Sequence, residues 1–390
     1  MKDVYVVDYL VYDCLGKDVA TNYANMPQTP GAETVYRYNP TEFPQVKCTK
    51  AFQASYLDNG YTTYRLAMDI VDDFAEKYGA VLPTDSAVLF GSFAIGSEGA
   101  KQEFNEAFDK QLSRFSPTKL FSVNYDLLSS SVAGKLKLEG INSGLNGSCS
   151  TSMFNLQFAS MLIQTGQAPA VVVGAAEMPV LARMQYYWQC TSAISHQDGG
   201  YCKPFDNSRD GFIQGEGASV WFLCDEETLL KYNLTPKAKI RSIASGARIT
   251  SMTAHDKTGE NQIKIINNAL HMAGMQPKDV GFFNAHATST LVGDDIEFDV
   301  FQQVFHNCDV PIVSFKGYVG HTMSACGLIE SAYGLEAART KKLHPNHNLT
   351  DPLSLDARLI VQPTVLENNI FIKTSFGFGG RTSVGIFESL

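Results

Sequence analysis

No apolar run in the chain reaches the roughly 18 residues that a membrane-crossing helix needs. The opening Met1-Lys2-Asp3-Val4 lacks the charged start and apolar core of a secretory leader. Neither a membrane span nor a signal peptide is expected, and the expected compartment is the cytoplasm. The eight cysteines (Cys14, Cys48, Cys149, Cys190, Cys202, Cys224, Cys308 and Cys326) stand far apart with no CxxC pair. That spacing argues for reduced thiols and against a zinc site or a disulfide frame. A basic excess is also missing: 31 Lys and Arg against 40 Asp and Glu give a net charge of -9, which argues against nucleic acid as a main partner. No low-complexity linker and no sequence repeat is visible, so the 390 residues should pack as one body with ample length for a core.

What is present is an alternation of short apolar strands and helices. Strands are predicted at Val4–Val7, Ala87–Phe90, Ala170–Gly174, Lys239–Ser245, Val280–Phe283 and Asn369–Lys373. Helices are predicted over Tyr61–Tyr78, where Leu66, Ala67, Ile70, Val71 and Phe74 fall on one face, and over Ser116–Gly140, Met153–Gly166, Asn261–Ala273 and Leu328–Thr340. Lys17–Lys50, rich in Pro, Asn, Thr and Tyr, reads as irregular surface chain. The pattern restarts after Cys224-Asp225-Glu226-Glu227, which suggests two units, 1–228 and 229–390, each a mostly parallel α/β sheet.

Asn146-Gly147-Ser148-Cys149-Ser150-Thr151-Ser152 places a cysteine among small residues between a turn and a helix start. There the helix N-terminus would lower the thiol pKa; the rival reading is a buried structural cysteine. Three more clusters carry chemistry. Asn284-Ala285-His286-Ala287-Thr288-Ser289-Thr290 and Ser314-Phe315-Lys316-Gly317-Tyr318-Val319-Gly320-His321 both follow apolar strands, where α/β folds collect catalytic groups, and Ser375-Phe376-Gly377-Phe378-Gly379-Gly380 follows the last strand.

Together with Pro204-Phe205-Asp206-Asn207-Ser208-Arg209-Asp210-Gly211-Phe212 and Gly215-Glu216-Gly217-Ala218, these clusters resemble, in family order, the elongating β-ketoacyl synthases. The resemblance implies the thiolase fold, a five-layered αβαβα sandwich of two similar halves, and a dimer, either of identical chains or with a related ketosynthase or chain-length factor. It implies an acyl group carried on Cys149 and extended by decarboxylative condensation with malonyl groups, with substrates delivered on the phosphopantetheine of acyl carrier protein and no other cofactor. It assigns the oxyanion to the backbone N–H groups of Cys149 and Phe378, and the enolate to His286 and His321. Lys316 and Glu297 become a supporting pair that orients the two rings, Thr288 and Thr290 hold the phosphopantetheine arm, and Phe378 is a gate swinging between Gly377 and Gly379. Gly91–Gly96 resembles the loop at the floor of the acyl tunnel, with Ala94 there, or Ile95 if the alignment shifts by one.

The Cys-His-His set separates the chain from initiating synthases, which use Cys-His-Asn, and from thiolases, which use a second cysteine near the C-terminus. Ala287 stands where the family has glycine, Arg381-Thr382 stands where it has Thr-Asn, and the first 50 residues fit its pattern poorly. These departures favour a specialised type II polyketide or aryl-polyene pathway over housekeeping fatty-acid synthesis. The alternatives are a non-catalytic chain-length factor or an acyltransferase that does not decarboxylate.

Overall fold

Helix Thr63–Tyr78 buries Leu66, Ala67, Ile70, Val71 and Phe74, the face its periodicity predicts, and its N-cap Thr62 accepts a hydrogen bond from the Arg65 N–H at 3.2 Å. The computed structural model to which it belongs describes residues 2–26, 36–37, 50–52, 62–93, 109–110, 126–178, 186, 188–191, 193–196, 201–249 and 256–390. Ala94 and Ile95 lie outside the described residues, as does most of Lys17–Lys50; within that stretch Val19–Ala24 is a helix.

Among the described residues there are fourteen strands. The first seven are β1 (Val4–Asp13), β2 (Tyr36–Arg37), β3 (Lys50–Ala51), β4 (Ala87–Gly91), β5 (Asn142–Ser143), β6 (Ala170–Glu177) and β7 (Gly217–Cys224). Then come β8 (Ala238–Ala247), β9 (Phe282–Asn284), β10 (Ile312–Val313), β11 (Lys342–Leu343), β12 (Thr364–Val365), β13 (Ile370–Gly377) and β14 (Arg381–Ser389). β2 pairs with β3 and β11 with β12; the other ten form one sheet in the order β10-β9-β13-β14-β8-β1-β7-β6-β4-β5. Counted within each half, β5-β4-β6-β7-β1 and β10-β9-β13-β14-β8 are the same order, third-second-fourth-fifth-first, with the same parallel and antiparallel pairings. The first strands of the halves meet antiparallel at Val4–Ile240, Tyr5–Lys239 and Val6–Ala238. The duplication invisible in the sequence is therefore plain in the topology.

The expectation of a mostly parallel sheet is corrected. In each half the fourth and fifth strands pair antiparallel and the fifth and first do likewise; β13 and β14 cannot do otherwise, because only Phe378, Gly379 and Gly380 join them. Helices Thr151–Gln164 and Cys326–Thr340 pack against strands of both halves, while Thr63–Tyr78 and Leu127–Leu136 cover the first half-sheet and Glu260–Ala273, backed by Leu291–Val304, the second. This is the αβαβα layering, with three apolar cores between the layers. Of the two central helices, Cys326–Thr340 is buried without interruption over Cys326–Ala338, whereas Thr151–Gln164 exposes Met161 at its far end.

Candidate active site

After β5 the chain turns through Gly144–Gly147 into a single 3-10 turn, Ser148–Ser150, from which helix Thr151–Gln164 runs on. Asn155 on that helix holds the turn, donating to and accepting from the Leu145 backbone at 3.0 Å each. Ser148 is in the left-handed region (φ 56°), a conformation that costs a non-glycine residue on the order of 1 kcal/mol and marks strained functional turns. The strain is offset locally: Asn146 Oδ1 accepts from the Ser148 N–H at 3.0 Å, and Thr151 Oγ1 donates to the Ser148 carbonyl at 2.6 Å. Cys149 sits at the crest of this elbow. The end of β13 abuts it so closely that a Cβ on Gly377 would lie 2.4 Å from the Gly147 carbonyl oxygen, so only glycine fits there.

His321 comes from the other half, after the short helix Lys316–Val319, and its Nε2 is 3.2 Å from Cys149 Sγ. The His286 ring meets it edge-on, with centroids 5.4 Å apart. Burial, with the charges of Lys316 and Lys373, holds His321 well below its usual pKa, so the ring is neutral. Burial also pushes the Cys149 thiol well up; the neighbouring Cys326 adds to this and the Lys316 charge opposes it. The lowered thiol pKa expected from the helix start is thus overridden by desolvation.

Lys316 and Glu297 both act at His286, and the ion-pair contact of Lys316 lies elsewhere. Glu297 acts on backbone, accepting from the His286 N–H at 2.9 Å and the Ala287 N–H at 2.6 Å, with the Thr374 hydroxyl donating to it at 2.5 Å. It fixes the loop that carries His286. Lys316 does reach the ring, with Nζ 3.4 Å from His286 Nδ1, and its ion-pair partner is Glu330 at 2.6 Å. Glu330 also pairs with Lys373 at 2.5 Å, and all three side chains are wholly buried. Burial lowers both lysines; Glu330 outweighs it at Lys316, whose pKa ends raised, whereas Lys373 ends lowered. A protonated Lys316 has only donors, so His286 Nδ1 is the acceptor and Nε2 carries the ring proton.

Cys149, both histidines, Thr288, Thr290, Gly377 and Phe378 line one pocket of about 430 Å³ together with Trp188, Phe212, Met323 and Phe376. The two threonine hydroxyls are 3.1 Å apart. Their loop is braced by Arg209, which donates to the carbonyls of Thr290 at 3.1 Å and Leu291 at 2.7 Å, while Asp206 accepts from the N–H groups of Thr350 and Asp351 at 2.8 Å each. The Pro204–Phe212 motif thus supports the pocket from behind, and its Phe212 ring packs edge-on to His321 at 5.3 Å. Gly379 (φ 81°) lies in the turn beside Phe378, outside the pocket lining.

Sequence reasoning missed Glu330, Lys373 and Trp188. A Glu within the apolar run Ala325–Ala332 was the available signal for the first; Trp188, whose ring is 5.7 Å from that of Phe378, had none. Among the described residues no group of side chains is arranged to hold a metal ion, and no helix is long and apolar enough to cross a membrane.

Comparison with known proteins agrees with this geometry. Residues 63–228 match the β-ketoacyl synthase N-terminal domain and 237–350 the β-ketoacyl synthase C-terminal domain. The chloroplastic 3-oxoacyl-[acyl-carrier-protein] synthase II of Arabidopsis thaliana is 28% identical over 407 residues, covering 98% of this chain and 75% of the relative. 3-oxoacyl-[acyl-carrier-protein] synthase 2 of Staphylococcus aureus strain N315 is 28% identical, covering 82% of this chain and 77% of the relative. Among solved structures, a chain from a type II polyketide synthase acyl-carrier protein in complex with its ketosynthase bound to the hexaketide superposes with a TM-score of 0.88 at 21% identity. A β-ketoacyl synthase from Burkholderia phymatum STM815 does so with the same TM-score and identity; both matches cover the whole of each chain. With the two domains matched in order along most of its length, a thiolase fold and a cysteine–histidine pocket at the junction of its halves, the chain belongs to the β-ketoacyl synthase family.

Proposed function

We propose that the chain is a β-ketoacyl-[acyl carrier protein] synthase that joins an acyl group held on Cys149 to malonyl-[acyl carrier protein] with loss of carbon dioxide. The observation that carries this reading is His321 Nε2 at 3.2 Å from Cys149 Sγ, with a second imidazole, His286, lining the same pocket.

In the loading step Cys149 Sγ attacks the thioester carbonyl of acyl carrier protein while neutral His321 takes the thiol proton at Nε2. The oxyanion is held by the backbone N–H groups of Cys149 and Phe378, and its collapse expels the phosphopantetheine thiolate, which receives that proton. His321 Nδ1 has no partner among the described residues, so neither tautomer is enforced and the ring can carry its proton on Nε2 once Sγ is acylated. In the second step the malonyl carboxylate leaves as carbon dioxide and its bonding electrons form an enolate. The enolate oxygen receives hydrogen bonds from Nε2 of His286 and His321. The enolate carbon then attacks the Cys149 thioester: a C–C bond forms, the C–S bond breaks, and Cys149 leaves as thiolate to be reprotonated.

Thr288 and Thr290 hold the phosphopantetheine arm in this reading, and Phe378 is the gate. The units 1–228 and 229–390 are its two thiolase-like halves, which the repeated strand order supports. Acyl carrier protein is the partner, a homodimer or a heterodimer with a related chain is the working state, and the cytoplasm is the location.

The test supplies acyl- and malonyl-[acyl carrier protein] and measures carbon dioxide and β-ketoacyl product separately. Cys149→Ala should abolish product. His286→Ala and His321→Ala should each cut decarboxylation by roughly 100-fold or more, the scale of losing one oxyanion donor. Decarboxylation within a few-fold of wild type in both histidine variants would reject the mechanism, and acyl transfer without carbon dioxide would make the chain an acyltransferase.

A further inference from the structure

Arg381 opens β14, directly after the turn Phe378–Gly380 and opposite Gly377 in the β13–β14 register. Its side chain folds back across the turn, and Nη1 donates to the Phe378 carbonyl at 3.0 Å and to Ser148 Oγ at 3.2 Å. Ser148 Oγ in turn lies 3.5 Å from the Phe378 carbonyl. One guanidinium therefore touches both the turn that carries Phe378 and the residue whose left-handed backbone raises Cys149. Among the described residues no carboxylate pairs with Arg381, and its side-chain hydrogen bonds are spent on this bridge. The turn it spans has a ready hinge in Gly379 and Gly380, at φ 81° and 67°. Phe378 is half-buried, packed on Trp188 at 5.7 Å at one wall of the pocket.

We propose that Arg381 is a positioning residue that holds Phe378 closed over Cys149 by tying the β13–β14 turn to the nucleophile elbow. To swing away, the turn must part from Ser148 or give up the Arg381 bond to its own carbonyl, and both are hydrogen bonds from a permanent cation, stronger than neutral ones. A short uncharged side chain at this position could not span the two. The latch sets how often the pocket opens between loading and condensation, and so how well the acyl-enzyme is shielded from water.

This proposal rests on Phe378 acting as the gate, and the test separates the two ideas without using turnover. The full-length protein is compared with Arg381→Ala, Arg381→Lys, Ser148→Ala, the Ser148→Ala/Arg381→Ala double variant and Phe378→Ala. One readout is the rate of Cys149 alkylation by iodoacetamide, followed by peptide mapping so that exposed Cys190 is scored apart. The other, for all but Phe378→Ala, is acrylamide quenching of Trp188; the other tryptophan, Trp221, is wholly buried in β7 and gives a constant background. Arg381→Ala should raise both by about tenfold, the worth of one such bond. Arg381→Lys should stay near wild type, and adding Arg381→Ala to Ser148→Ala should change little. If Arg381→Ala does not fold, Ser148→Ala alone must still raise both readouts. Fully additive effects, or Arg381→Ala within about twofold of wild type while Phe378→Ala speeds alkylation, would overturn the latch alone. A Phe378→Ala variant alkylated at the wild-type rate would overturn the gate itself.

Discussion

At Cys149 two local effects pull in opposite directions, and the outcome can be read from a pH profile. The helix start and Lys316 favour thiolate, whereas burial favours thiol, and burial prevails. A raised thiol pKa means less thiolate at any given pH, with the missing fraction recovered only as pH climbs. Alkylation of Cys149 should accordingly quicken by nearly tenfold per unit from about pH 6.5 to 9 without levelling. A plateau by about pH 7 would show instead that the thiolate is already formed and that His321 need not take a proton during attack. The same contest explains what the sequence could and could not disclose here. Cys149, His286 and His321 are legible because each lies among small residues at the end of an apolar stretch. Glu330 and Lys373 are not, because a charged residue inside an apolar pattern reads as a solvated edge. Their burial is tolerable only because they meet each other and Lys316, which is a fact of three dimensions.

Helices were the legible elements, and strands less so. Thr63–Tyr78 and Glu260–Ala273 follow their apolar faces to within a few residues of the expected bounds. β7 was not anticipated because it is buried on both faces, so it lacks alternation, and β14 because it opens on Arg-Thr-Ser. Helix Leu291–Val304 was hidden for a related reason: it buries Asp294 and Glu297 along with its apolar residues, the first accepting from the Phe205 and Ser289 N–H groups, the second from those of His286 and Ala287. Where β13 meets the elbow the fit is backbone against backbone, and neither side can yield cheaply. Gly377→Ala should therefore shift the elbow, lowering condensation by more than tenfold while costing about 1–3 kcal/mol in stability, as overpacking does. Thermal unfolding read beside the rate checks this; an active, equally stable variant would mean that the strand end can retreat.

Between the halves, direct strand pairing is slight, three residue pairs between β1 and β8. The central core is not: Leu156 and Ile163 of one half lie in the same cluster as Phe371, Phe387, Leu328 and Leu335 of the other. Neither half can keep its own helix of the middle layer dry without its counterpart, so unfolding should be one event. In urea, Trp221 fluorescence and far-ultraviolet circular dichroism should give coincident transitions; two separated steps would show halves that stand alone. The order in which the chain is made then acquires a chemical meaning. A ribosome finishes Cys149 long before His286, His321 and Phe378, and until the elbow's packing partners at Ser375 and Gly377 have also been made, the nascent thiol has no imidazole beside it and no gate above it. The nascent thiol should thus stay chemically silent until β13 joins the elbow.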